Sequence, residues 1–239
     1  MFVLGIDTAT LVCSVAVASE DKTVAEYTLQ VKKTHSQRLL PLIAALLADA
    51  GLTPAGLDGI AVAAGPGSFT GVRIGIVTAK ALGQALTIPL CGISTLEALA
   101  AQHPWFDGLI CPVLDARRRQ VYTALFRGGG GSLQRLAEDK AAALPAVLEE
   151  VEAYGEKVLF VGDAVPVHQD FIRGELGVKA CFMPPESAIC RAATVARLGL
   201  EQLARGQAAS WRELAPRYLR QSEAEVKYRA AHGGGGQCL

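Results

Sequence analysis

Two short polar stretches carry residue types suited to gripping a phosphate. Asp7-Thr8-Ala9-Thr10 follows the apolar run Phe2 to Ile6. It offers a carboxylate for a cation and hydroxyls for phosphate oxygens. Gly65-Pro66-Gly67-Ser68 follows the apolar run Ile60 to Ala64 and precedes a helix-like stretch. A Gly-rich turn at a helix start aims backbone N–H groups at whatever lies beyond the strand end, usually an anion. The candidate nucleotide-binding residues are therefore Asp7, Thr8, Thr10, Gly65, Gly67 and Ser68. Ala9 marks the set as vestigial, because backbone pressed against phosphate prefers glycine. The plain alternative for the first stretch is a polar turn whose side chains bond their own backbone.

Other chemistries lack their residues. Gly65-x-Gly67-x-x-x-Gly71 has the wrong spacing for a dinucleotide fingerprint, and no acidic residue ends the next strand, PLCGIST. A phosphate loop of the Gly-Lys-Ser/Thr kind is absent, since Val72 and Arg73 follow Gly71. There is no G-x-S-x-G elbow. The four histidines never fall three or four residues apart, so local spacing assembles no metal site. None of the six cysteines forms a C-x-x-C pair, and the start MFVLGIDTAT has no basic export signal. All six read as free thiols in a reducing cytoplasm.

Composition narrows the class further. Of 239 residues, 51% are hydrophobic and 19% charged, which marks a globular chain. Lys plus Arg equals Asp plus Glu at 23 each, which argues against a broad electrostatic grip on nucleic acid. No apolar run is long enough for a membrane span.

The elements that must position these turns follow from hydrophobic period. Phe2–Ile6, Cys13–Ala18 and Val24–Leu29 read as strands whose short connections make them antiparallel neighbours. Ser36 is a plausible N-cap for a helix to Ala50, with Pro41 shifting its regular part toward Leu40. Then come strand Ile60–Ala64, helix Thr70–Gln84, strand Pro89–Ile93 and a short helix capped by Ser94. After Pro104 the pattern restarts: Leu109–Leu114, Asp115, the polar turn Ala116–Arg119, and Val121–Phe126. Asp7 and Asp115 occupy equivalent places, which reads as an internal duplication. Beyond it, Gly128–Gly131 reads as a flexible turn, Ala141–Val151 as a helix, Val158–Val161 as a strand and Ser187–Ala204 as a helix. Trp211–Tyr218 is expected to run extended and pack back, and His232–Leu239 to fray.

Two helices are apolar around too much of their girth. In Thr70–Gln84 only Arg73, Lys80 and Gln84 form a polar stripe; in Ser36–Ala50 the leucine arc spans roughly 160° and alanines fill the rest. Such helices are either central to the core or covered by another chain. Two small basic spots, Arg117-Arg118-Arg119 with Tyr122 and Lys32-Lys33 with His35, read first as solvated turns.

The segments GIDTAT, HSQRLLPLI, AAGPGSFTGVRIGIVTAKALG, PLCGISTLEAL, LDARRRQVYTALF and PRYLRQSEAE, in that order along nearly the whole chain, resemble the bacterial TsaB (YeaZ) family. The resemblance implies an α/β fold of the actin-like, sugar-kinase-like (ASKHA) class with two RNase H-like lobes, at 1–104 and 105–230, and a tail at 231–239. It implies a role in forming threonylcarbamoyladenosine on tRNAs that read codons beginning with A. TsaD, the catalytic relative, carries a His-x-x-x-His metal pair after the strand that follows the Gly-loop helix. Here those slots fall on Thr95 and Leu99, so no catalytic residue and no metal ligand is expected. The resemblance further implies a TsaD-like catalytic partner, a TsaE-like ATPase, tRNA bound only through the complex, a homodimer when alone, no membrane and no tightly bound cofactor. ATP or ADP is expected only at the partner interface. Pairing is expected through the first two helices, at Leu39, Leu42, Ile43, Leu46, Val72, Arg73, Ile76, Ala79, Lys80 and Gly83, some of which must face the core, so that aspartate at Leu46 or Ile76 breaks it where that residue faces outward. The rival reading is a stand-alone ATP-dependent enzyme or an M22-type glycoprotease-like peptidase.

Overall fold

The structure is a computed structural model that describes residues 1–31 and 34–220. The Lys32-Lys33 spot, the tail 231–239 and the end of the PRYLRQSEAE segment lie outside the described residues. The strands are β1 (Val3–Asp7), β2 (Cys13–Ala18), β3 (Thr23–Leu29), β4 (Gly59–Gly65), β5 (Leu90–Ser94), β6 (Gly108–Asp115), β7 (Gln120–Gly129), β8 (Ser132–Ala143), β9 (Val158–Val161) and β10 (Ala180–Phe182). The helices are α1 (His35–Asp49), α2 (Phe69–Leu86), α3 (Thr95–Ala100), α4 (Leu144–Glu152), α5 (Val165–Leu176) and α6 (Ala192–Ala204).

They form two five-stranded sheets with one plan. The first runs β3-β2-β1-β4-β5 and the second, from the corresponding edge, β8-β7-β6-β9-β10, the same topology. In each, three strands meander antiparallel and two more join in parallel through helical crossovers. The duplication expected from Asp7 and Asp115 is thus present strand for strand.

The third helices are exchanged between the halves. α3 reaches β6 and β7 of the second sheet while still touching β4 and β5 of its own, and α6 crosses β1, β2 and β4 of the first, on the face away from α1 and α2. The start of α6 is held by first-sheet side chains. Ser14 Oγ accepts from Ala192 N–H at 3.1 Å, and the Glu26 carboxylate accepts from Ala193 N–H at 3.0 Å and pairs with Arg191. These bonds satisfy N–H groups that a helix start leaves orphaned, and the carboxylate suits the positive end of the helix.

Several local expectations shift. Thr34, not Ser36, precedes α1, and the helix runs regularly from His35 with Pro41 inside it. The carbonyl that loses its partner belongs to Gln37, which is exposed, so solvent replaces the bond. Residues 141–143 belong to β8, so α4 begins at Leu144, and Gly128 and Gly129 are paired in β7. α6 begins at Ala192, since Pro185–Ser187 is a separate 3-10 turn. Strands β8 and β10 and helix α5 have no counterpart in the sequence reading. Ser94 caps α3 as expected, accepting from Glu97 N–H at 3.2 Å. Cys13, Cys91, Cys111, Cys181 and Cys190 are free thiols, and no helix among the described residues is long and apolar enough to cross a membrane.

Candidate functional site

The two polar turns meet at the C-terminal ends of β1 and β4, and they meet each other. Thr8 Oγ1 donates to Gly71 O at 2.7 Å, and Ser68 N–H donates to Ala9 O at 2.7 Å. Asp7 Oδ1 accepts from Ala9 N–H at 2.9 Å, Thr10 Oγ1 from Val12 N–H at 3.2 Å, and Ser68 Oγ from Gly71 N–H at 3.3 Å. Asp7 and Thr8 are fully buried. The glycines serve this contact. A Cβ at Gly67 would fall on the Ala9 carbonyl oxygen, and one at Gly71 on that of Thr8. The sequence reading aimed this turn at an anion; the structure seats it on the β1 turn, because only glycine lets α2 approach that backbone. Gly65, at φ 105°, faces the backbone of Arg217, and Arg217 N–H donates to Ala64 O at 2.7 Å.

The other carboxylate oxygen, Asp7 Oδ2, is buried with no N–H or O–H donor on it and only the weakly donating Cys190 thiol beside the carboxylate. Burial pushes the Asp7 carboxyl up to about 6, a rise partly offset by the Ala9 N–H bond. The folded pKa stands above the unfolded one, so protonated Asp7 favours the fold. That contribution is complete below about pH 4 and is lost as pH rises through about 6. Asp7→Asn is therefore expected to stabilise the chain by about 2–3 kcal/mol at pH 8 and by almost nothing at pH 4. Thermal melts at the two pH values check this, and an equal shift at both would show that charge is not the cause.

The segment 211–220 crosses from the first sheet to the second. Lys80 Nζ donates to Leu214 O at 3.1 Å, and Arg73 Nε to Tyr218 Oη at 2.7 Å, beside a Phe69–Tyr218 stack with centroids 4.7 Å apart. Arg220 Nη1 then donates to Ala116 O at 2.5 Å and Arg117 O at 3.2 Å in the β6–β7 turn. There Asp115 Oδ1 accepts from Arg117 N–H at 2.7 Å, as Asp7 does from Ala9. Arg117, Arg118 and Arg119 all hold left-handed backbone, at φ 62°, 52° and 58°. Such backbone costs a non-glycine residue roughly 1–2 kcal/mol.

The first two helices are adjacent, and their faces are settled. Leu39, Ile43, Leu46, Val72, Ile76, Ala79 and Gly83 are buried against the chain's own sheet. That corrects their expected place at a partner contact: the bulky residues turn inward, where they bury more apolar area. Of the expected set, Leu42 and Lys80 are half-buried and Arg73 is exposed. The outward face is instead Leu40, Pro41, Ala44, Ala45 and Ala48 on α1, with Val77, Ala81 and Ala85 on α2. Leu40 is 55% exposed and Val77 64%. Both faces of each helix are apolar, so period alone does not tell them apart; side-chain size does.

Thr95 and Leu99 are buried at the β5–α3 junction, with Thr95 Oγ1 lacking a partner. Neither side chain is a metal ligand of the kind a His-x-x-x-His pair supplies.

Residues 22–228 match the family TsaD, tRNA N6-adenosine threonylcarbamoyltransferase. The chain is 41% identical over 228 residues to the tRNA threonylcarbamoyladenosine biosynthesis protein TsaB of Bacillus subtilis (strain 168), covering 95% of this chain and 98% of that protein. The chain belongs to the TsaB family. The solved structure of YeaZ from Pseudomonas aeruginosa superposes with a TM-score of 0.74 at 27% identity, covering 91% of this chain and 99% of that one. A ROK hexokinase from Thermus thermophilus matches in fold alone, with a TM-score of 0.50 at 12% identity over 83% of this chain and 99% of the other. This TsaB-family chain thus has the actin-like, sugar-kinase-like (ASKHA) fold expected of it.

Proposed function

We propose that this chain is a non-catalytic subunit in threonylcarbamoyl transfer to the adenosine next to the anticodon of tRNAs reading ANN codons. Its family membership places it in tRNA threonylcarbamoyladenosine biosynthesis. On this reading it works in the cytoplasm as scaffold and activator of a TsaD-like catalytic subunit, joined by a TsaE-like ATPase. Alone, it pairs with a second copy through the same face.

The observation that carries the reading is the outward side of α1 and α2. Leu40, Ala44 and Ala48, with Val77 and Ala81, recur at four-residue spacing and nothing in the described chain covers them. Small residues there let another helix pair approach closely, and a leucine and a valine supply apolar anchors. The strand-end turns support the same reading from the other side. Thr8 Oγ1 and Ser68 N–H are already engaged with the facing turn, which favours ATP or ADP only where a partner completes a site.

The test is co-purification of this chain with the TsaD-like and TsaE-like proteins of its own organism, followed by threonylcarbamoyl transfer to unmodified tRNA. Formation of the complex, and modification that requires this chain, are expected. Modification at the same rate without it would sink the proposal, and so would ATP hydrolysis or peptide cleavage by the chain alone above blank.

A further inference from the structure

The β6–β7 turn is built from residues that resist its backbone. Three successive left-handed residues call for glycine or asparagine, yet all three are arginines. The turn is closed by Gln120 N–H donating to Arg117 O at 3.0 Å and Ala116 N–H to Gln120 O at 3.1 Å. Arg220, from the far end of the described chain, ties down the carbonyls of Ala116 and Arg117. Four arginines are thus gathered at one turn, three in its backbone and Arg220 bonded to it, in a chain whose formal charge sums to zero. Asp115, 3.7 Å from Arg117, answers one of them; Arg118 and Arg119 are exposed and have no carboxylate within ion-pair distance among the described residues.

From this we infer that the Arg118–Arg119 turn is a contact for the phosphodiester backbone of RNA. The inference rests on the reading above, which brings tRNA to the assembled complex. Arginine rather than lysine fits the assignment: its planar fork takes a phosphate through two parallel N–H bonds. A braced turn holds two such forks outward from neighbouring residues. With no net charge to attract a polyanion, the chain grips RNA only where this cluster is already held against it by a partner.

The test is the double variant Arg118→Gly/Arg119→Gly in the complex with the TsaD-like and TsaE-like proteins. Glycine accepts the left-handed backbone, so folding is not at stake, and an unchanged or raised melting temperature is expected. The complex should still co-purify. Its Kd for unmodified tRNA should weaken about 10-fold or more at about 0.1 M salt, and the slope of log K against log salt should flatten by about 2, one unit per lost contact. An unchanged Kd and slope would overturn the inference. Loss of co-purification instead would assign the arginines to an acidic protein surface and overturn it as well. Protection of the turn by millimolar inorganic phosphate, with tRNA affinity unaffected by the variant, would assign it to a free anion. Failure of the wild-type chain to co-purify at all would remove the broader proposal, and this one with it.

Discussion

The double variant Leu40→Asp/Val77→Asp is expected to stay folded and to lose its partner. Both side chains point away from the sheet, 55% and 64% exposed, so the melting temperature should move little, by about 1 kcal/mol of stability or less. In an assembled pair the same carboxylates would be buried without countercharges, which costs about 3–5 kcal/mol. That weakens binding to the TsaD-like subunit by two orders of magnitude or more, measured by calorimetry or by loss of co-elution. Ile76→Asp is the matched control, one residue away and 3% exposed. It should unfold the chain, because its charge would face the β-sheet. Retained pairing in a folded Leu40→Asp/Val77→Asp protein would remove the α1–α2 face from the interface.

Replacing Gly71 by alanine sets two effects of opposite sign against each other. Alanine is the better helix former by about 1 kcal/mol, and Gly71 lies in the first turn of α2. Its methyl group, however, would occupy the place of the Thr8 carbonyl oxygen. The obstacle is backbone, tied in by the Thr8 Oγ1 bond to Gly71 O, so it has little freedom to withdraw. The clash should win, with a net loss of about 2 kcal/mol and a fall in melting temperature of about 4–8 °C. The loss should be the same with or without nucleotide present. A melting temperature equal to or above that of the parent chain would mean that α2 is not seated on the β1 turn, and that its glycines are free for a ligand.

Much of this arrangement is written locally in the chain. Ser94 before Thr95-Leu96-Glu97 has a cap's chemistry, and the aspartates ending β1 and β6 announce the repeat. β8 is hidden because SLQRLAEDKAAA is rich in alanine and in helix-favouring charged residues. Its extended form comes from pairing with β7, a long-range effect no short window holds. α5, in VPVHQDFIRGEL, presents only Val165, Ile172 and Leu176 to the core, too thin a stripe to stand out. The exposed apolar residues of the proposed partner face are not legible in the sequence for the opposite reason. On α1 and α2 there is grease on every side, so the bulk of Leu39, Ile43 and Leu46 against the slightness of Ala44, Ala45 and Ala48 was the only available clue. The glycines around Ser68 are legible as a need for close approach. That the β1 turn is what approaches them becomes visible only once β1 and β4 lie side by side.

The exchange of α3 and α6 bears on how the protein is born. Residues 1–104 leave the ribosome with strands ready to pair, but the helix that roofs one side of them is encoded about a hundred codons later. At common elongation speeds of about 5–20 residues per second, that side of the nascent sheet stays bare for roughly 5–20 s. Its strands are dense with valine, isoleucine and alanine, so the unroofed sheet face is an apolar surface exposed to aggregation until α6 emerges.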